Sequence, residues 1–292
     1  MSVSNSGQLG EYLRARRELI SPEGAGLQSG GQRRVAGLRR EEVAMLAGIS
    51  SDYYLRLEQG RNHNPSIQVL ESLARVLGLD ETATAYLMEL AAPTRRMPRR
   101  RRATVSAGIR QLIDSIEAPA FVESRHFDVL ASNDLARAIS PNLRVGENRM
   151  RAMFLDPGEQ ALCKNFELAM AHMVAGFRQS VGTETDDPRF VQIVGELSLA
   201  SERFRQLWAR HDVQAREGSQ TSMRHPQVGE LMLFKERLTI GAADGLTLVV
   251  YQPVAGTGTS ERLGLLASLV ATGVSEAQKE AIRPGGADPT RP

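Results

Sequence analysis

Residues 38–61, LRREEVAMLAGISSDYYLRLEQGR, constrain the fold more than any other stretch of this 292-residue chain. Two short helical patterns flank Gly48, so the chain must turn sharply there, and glycine reaches positive φ at no steric cost. For the second helix to pack close, the first must present a small residue to it, and Ala44 stands at that position. Val43, Leu46 and Ala47 are expected to face inward, Ile49 to plug the core, and Ser50 to cap the second helix through its hydroxyl. Tyr53 and Tyr54 lie about 100° apart on a helix. Tyr54 therefore falls on the inward frame with Ile49 and Leu57, while Tyr53 points outward.

Helical patterns at 9–20, 66–77 and 80–91 surround this pair, with Ser66 and Asp80 as N-caps, and a Gly/Ser/Pro-rich loop is expected at 21–38. The result is an all-α, five-helix domain over residues 1–91. APTRRMPRRRRATVS, residues 92–106, holds six arginines and two prolines. No packed core forms from it, so it reads as a linker, either a solvated tether or a basic arm that touches phosphates. Up to Thr104 the chain carries 16 Arg and no Lys against 11 acids, a net +5, whereas the whole chain is only +2. Only the first part is expected to meet a polyanion.

Residues 107–270 mix element types and predict a second, α+β domain. IRQLIDSI reads as a helix, and PAFVES and HFDVLASN as strands joined by a turn at Ser124–His126. Helical patterns follow at 133–140, 147–154, 158–180, 187–199 and 201–209. TSMRHPQVGELMLFKERLTI and LTLVVYQP return to strand patterns, SERLGLLASLVAT closes the domain as a helix, and residues 271–292 are expected to be a disordered tail.

Several function classes are disfavoured. No run of 18 apolar residues could span a bilayer, and the first 20 residues lack the pattern of a secretion signal, so the expected location is the cytoplasm, with no membrane partner. A lone cysteine, Cys163, cannot pair within the chain and reads as a small buried hydrophobe. His211, Asp212 and Cys163 are residue types of a nucleophile with its base, but their spacing matches no catalytic signature. The five histidines show no i, i+4 pair for a metal, and GTGTSERLG at 256–264 lacks the lysine of a phosphate loop. Neither catalysis nor a cofactor is expected.

REEVAMLAGISSDYYLRLEQGR, with its LEQGR ending, resembles the phage-repressor-like helix-turn-helix family of the XRE type. That resemblance implies a lambda-repressor-like DNA-binding domain with Ser51, Asp52 and Arg56 at the base-reading positions of the second helix. Arg40 falls where a phosphate contact is usual, Arg61 and Asn62 follow the helix near the DNA backbone, and Ser50 and Tyr53 complete the DNA-facing set. Glu58 matches a structural acid paired with an arginine of the first helix, here Arg17. Arg56 either reads guanine or stays solvated on a phosphate. Asp52 favours the helix dipole over a cytosine amino group.

The longer stretch GLRREEVAMLAGISSDYYLRLEQGRNHNPSIQVLESLARVLGLDE, with its glycine-rich loop, is similar to the MmyB-like group of regulators. PAFVESRHFDVLASN, DDPRFVQIVGELSLASERFRQLWARHDV, RHPQVGELMLFKERLTI and LVVYQP resemble that group's C-terminal domain, in unbroken order over residues 9–270. Ser132, where an aromatic is expected, and REGSQT at 216–221 depart from the pattern. The resemblance implies a PAS-like domain with an antiparallel sheet around an apolar cavity for a fatty-acid-like ligand. Asn133, Arg210, His211, Arg224 and His225 are the polar candidates for ligand contact, with Trp208 on the wall. Each also has a plainer role: Asn133 as a turn cap, Trp208 as core, the arginines as surface charges.

The chain is thus expected to be a homodimeric transcription factor, a repressor, that binds a double-stranded DNA operator and answers a small hydrophobic ligand. The competing expectations are a C-terminal domain that only dimerises or docks a partner protein, and an enzyme with a DNA-binding leader.

Overall fold

The computed structural model describes residues 5–27, 35–61, 64–92, 104–182, 186–214, 218–241 and 245–281. The N-terminal domain comprises α1 (Asn5–Leu19), α2 (Arg40–Ala47), α3 (Ser51–Glu58), α4 (Ile67–Val76) and α5 (Glu81–Ala91). Its boundaries follow from local chemistry. Gly48 ends α2 at φ 70°, and the hydroxyls of Ser50 and Ser66 and the carboxylate of Asp80 accept backbone N–H bonds at the starts of α3, α4 and α5. Tyr12, Leu13, Val43, Tyr54, Leu57 and Leu73 form a fully buried centre, where each aliphatic side chain contributes about 1.5–3 kcal/mol. Gly10 lets α1 touch α3, because a Cβ there would stand 2.3 Å from the Glu58 carbonyl oxygen.

The C-terminal domain is built on one antiparallel sheet of order β2-β1-β5-β4-β3. Its strands are β1 (Ala120–Glu123), β2 (Val129–Ser132), β3 (Ser219–His225), β4 (Gly229–Ile240) and β5 (Leu246–Pro253). Alternation divides the sheet into two faces. Ala120, Val122, Leu246, Leu248 and Val250 face α6 (Ala107–Ser115), whose N-cap is Ser106. Phe121, Leu231, Leu233, Val249 and Tyr251 face the opposite way, toward α7 (Asp134–Ile139) and α13 (Thr259–Ala281). On that same side lie α8 (Arg149–Leu155), α9 (Pro157–Leu162), α10 (Phe166–Val181), α11 (Pro188–Ala200) and α12 (Glu202–Ala209). They share an aromatic core of Phe127, Phe177, Phe190 and Phe204.

Two expectations need correction. The single helix expected over 158–180 is two helices, because the chain breaks at Cys163 to bridge Met223 of β3, with the Lys164 N–H donating to the Ser222 carbonyl. The closing helix runs on to Ala281 instead of giving way to a disordered tail at 271. Residues 93–103, most of the arginine-rich linker, and residues 282–292 lie outside the described residues. Among the described residues, no helix is long and apolar enough to cross a membrane.

Candidate functional sites

The exposed face of α3 carries Ser51, Asp52 and Arg56. Asp52 and Arg56, one turn apart, form an ion pair of 2.8 Å with both side chains more than half exposed. Such a pair contributes about 0.3–0.5 kcal/mol, so it orients Arg56 without locking it. The Ser50 hydroxyl is occupied as the cap, accepting from the Tyr53 N–H at 3.1 Å. Tyr53 does not point wholly outward: it is half-buried and leans on the core, while Tyr54 is fully buried as expected. Arg61 is exposed, and Asn62 lies outside the described residues.

Glu58 holds this face to the rest of the domain. Its side chain is 2% exposed; Oε1 accepts from Arg17 Nε and Oε2 from Arg40 Nε, each at 2.6 Å. Burial alone would raise the Glu58 pKa, but the two guanidiniums more than offset it and hold the carboxyl below its usual range. Arg40 thus binds the acid through Nε alone, and its two terminal nitrogens find no partner among the described residues.

The six candidates for ligand contact fall in three places. Asn133 caps α7, accepts from Ala120 N and Ala136 N, and donates to the carbonyls of Ile116 and Ala118. Arg224 is exposed, and the next residue, His225, is buried, with Nε2 3.0 Å from the Ala138 carbonyl. Trp208, Arg210 and His211 come together where the two domains meet. Trp208 stacks on Phe204 beneath the Arg178 guanidinium, which sits 3.8 Å above its ring. Arg210 pairs with Asp212 at 2.8 Å. His211 Nδ1 is 3.1 Å from Arg178. Burial, then Arg178 and Arg16, push its pKa down to about 3. His211 is therefore neutral, and Nδ1 accepts from Arg178.

None of those six, nor Ser132, lines the cavity that opens inside the C-terminal domain, with a volume of about 720 Å³. Phe127, Met153, Met173, Met223 and Leu168 provide its apolar wall, and Arg149, Lys235, Arg237, Glu159, His172 and Tyr251 its polar one. The lining is thus more highly charged than the apolar cavity expected from the sequence. Strand register explains the placement: Ser219, Lys235 and Tyr251 lie abreast on β3, β4 and β5, and Arg237 follows Lys235 on the same face. Glu123, fully buried on β1, takes Arg149 on one oxygen at 2.7 Å and Arg237 on the other at 2.8 Å. Arg149 also lies 5.0 Å over the Phe121 ring. Burial disfavours its charge, but Glu123 more than compensates and raises its pKa.

The sequence reading missed Arg149, Lys235 and Arg237. A signal was present in β4: Leu231, Leu233, Lys235 and Arg237 occupy alternate positions, so both cations continue an inward apolar row.

The rim of the cavity includes Asp80, Glu81 and Thr82, the cap and first turn of α5 in the N-terminal domain, together with Gln214. The segment 210–214 continues from that rim into the first domain. Asp212 pairs with Arg16 at 2.6 Å, and Val213 is buried in the core built by α1–α5. A second groove, of about 600 Å³, runs beside this segment between Arg16, Arg75, Gly78 and Arg210.

A family model described as a helix-turn-helix domain matches residues 8–87. Another, described as the MmyB-like transcription regulator ligand binding domain, matches residues 105–266. No curated protein matches the chain.

Proposed function

The chain belongs to the MmyB-like transcription regulators, and from that membership we propose a repressor whose hold on its operator is set by a fatty-acid-like ligand. The coarse function is that of a DNA-binding transcription regulator with a small-molecule-binding domain; the matched families are regulator and ligand-binding domains, not enzymes. The sign of regulation, the acid and the assembly are the proposal.

One observation carries it: the cavity of the ligand-binding domain has part of its rim on α5 of the DNA-binding domain. A ligand shifts an equilibrium only if it binds two arrangements unequally. A molecule spanning Arg149 inside and Asp80–Thr82 at the rim touches both domains, so its binding energy depends on how they sit. Segment 210–214, tied to Arg16 and buried through Val213, is the second connection. The apolar wall suits an alkyl chain, and the cationic wall suits its acid end. A coupling of about 1.4 kcal/mol would change operator affinity tenfold.

On the DNA side, Arg56 is assigned to base reading with Ser51 and Asp52, and Arg40, Tyr53 and Arg61 to the sugar–phosphate backbone. Two copies are required if paired recognition helices read half-sites one turn of DNA apart. Arg56→Ala should flatten preference at one or two positions of a site selected from random duplexes, at a cost of about 1–3 kcal/mol on the preferred base. Arg40→Ala should weaken all duplexes alike and reduce the salt dependence of binding. An unchanged selected site in Arg56→Ala would remove that assignment.

The regulatory half is tested by fluorescence anisotropy of the full-length protein on its selected duplex, with and without saturating decanoate. A fall in affinity of about tenfold or more is expected. If calorimetry shows decanoate bound while operator affinity stays constant, the ligand does not control DNA binding, and the C-terminal domain has another task such as dimerisation.

A further inference from the structure

Three cations, Arg149, Lys235 and Arg237, line the cavity. Arg149 and Arg237 share the single carboxylate of Glu123, one on each oxygen. Lys235, two positions before Arg237 and beside Tyr251 across the strands, lines the same cavity and has no carboxylate within ion-pair distance among the described residues. Of the acids in the lining, Glu159 is taken up by the Ser140 hydroxyl and the Asn142 amide, and Asp80 and Glu81 stand at the rim on α5. Of these three cations, Arg149 and Arg237 are paired, and Lys235 is the one without an ion pair among the described residues. Buried charge persists only where it is paired and hydrogen-bonded.

We propose that the Lys235 ammonium, flanked by Arg149 and Arg237, anchors the carboxylate of the ligand in this cavity. The proposal rests on the fatty-acid reading above and adds to it the residue that takes the acid end. It also gives binding a pH dependence. Burial first, then Arg237 and Arg149, with Glu123 opposing, bring the Lys235 pKa down to about 7. The other groups facing Lys235 do not share that window: burial lowers His172 on α10 further below neutrality and raises the Cys163 thiol and the Tyr251 phenol. A bound carboxylate stabilises the ammonium and raises its pKa, so binding takes up a proton wherever free Lys235 is neutral. At pH 8 the uptake approaches one proton, at pH 6 it is near zero, and above pH 7 affinity falls by up to about tenfold per pH unit.

The test is titration calorimetry of the full-length protein with decanoate at pH 6, 7 and 8, each in two buffers of different ionisation enthalpy, with methyl decanoate as the uncharged control. Wild type is expected to show buffer-dependent heats at pH 8 and to bind the ester at least tenfold more weakly than the acid at pH 6. Lys235→Met, checked for a native melting transition, should lose the buffer dependence and the preference for the acid. Lys235→Arg, a permanent cation, should keep the preference and lose the proton uptake. Acid and ester binding equally well, or Lys235→Met retaining both preference and uptake, overturns the anchor while the fatty-acid reading stands. No binding of decanoate or its ester by wild type overturns both.

Discussion

Glu123→Gln is expected to cost the C-terminal domain about 3–5 kcal/mol, read as a fall in melting temperature or denaturant midpoint. Glu123 is fully buried and is the carboxylate for both Arg149 and Arg237. The amide keeps the shape but leaves two guanidiniums confined together with no counter-charge, and such groups are costly because the interior cannot solvate them. The loss should come from the unpaired cations, not from poorer packing. The triple variant Glu123→Leu, Arg149→Met, Arg237→Met should therefore recover most of the stability, since exchanging a whole buried ion network for apolar side chains is often neutral or better. If the triple variant is as unstable as Glu123→Gln, the network stabilises the domain by its own geometry and the charge argument fails.

The second large effect is at Glu58. Glu58→Gln should destabilise the N-terminal domain by about 3 kcal/mol and reduce operator affinity for every sequence, because Arg17, buried on α1, loses its carboxylate and Arg40 on α2 loses its tether. The pH dependence has a defined sign. The folded Glu58 pKa is lowered, so its contribution is fully present above the ordinary carboxylate value of about 4.3 and disappears as pH falls through the folded value. The gap in stability between wild type and variant should be widest above about pH 5 and close in stronger acid. A gap that does not change between pH 6 and pH 3 would mean that the amide is penalised for something other than lost charge.

The DNA-binding half was legible because its determinants are local. Gly48, Ser50, Ser66 and Asp80 each act on backbone groups within about one helical turn, and local rules read such residues directly. Tyr53 was read less well, since helical spacing gives a direction but not how far a large ring folds back on the core. The strands of the second domain were equally readable from alternation, but the break at Cys163 was not. Its cause is Met223, sixty residues further on, and nothing within reach of Cys163 in the chain announces it.

The candidate ligand residues illustrate the same limit. Arg224 and His225 look like a clamp for a carboxylate when written side by side, but consecutive residues of a strand point to opposite faces, and here one is exposed and the other buried. Arg210 and His211 close a helix at the domain junction, where His211 accepts from Arg178 and Asp212 pairs with Arg16. Lys235 and Arg237 gave the opposite signal: charges in a strand suggest a solvated edge, and only the row begun by Leu231 and Leu233 hints that they face inward.

The sequence by itself determined the two domains, the helix-turn-helix with its caps and its exposed basic face, and the sheet-forming segments. Those depend on periodicity and on bonds between residues close along the chain. Only the tertiary structure decided which charges share Glu123, that Lys235 faces the cavity without an ion pair among the described residues, and that α5 of the first domain forms part of that cavity's rim. Pairing across strands and between domains brings together residues as far apart in the chain as Arg16 and Asp212, 196 positions. The energy of a buried charge depends on which of those distant groups arrives beside it.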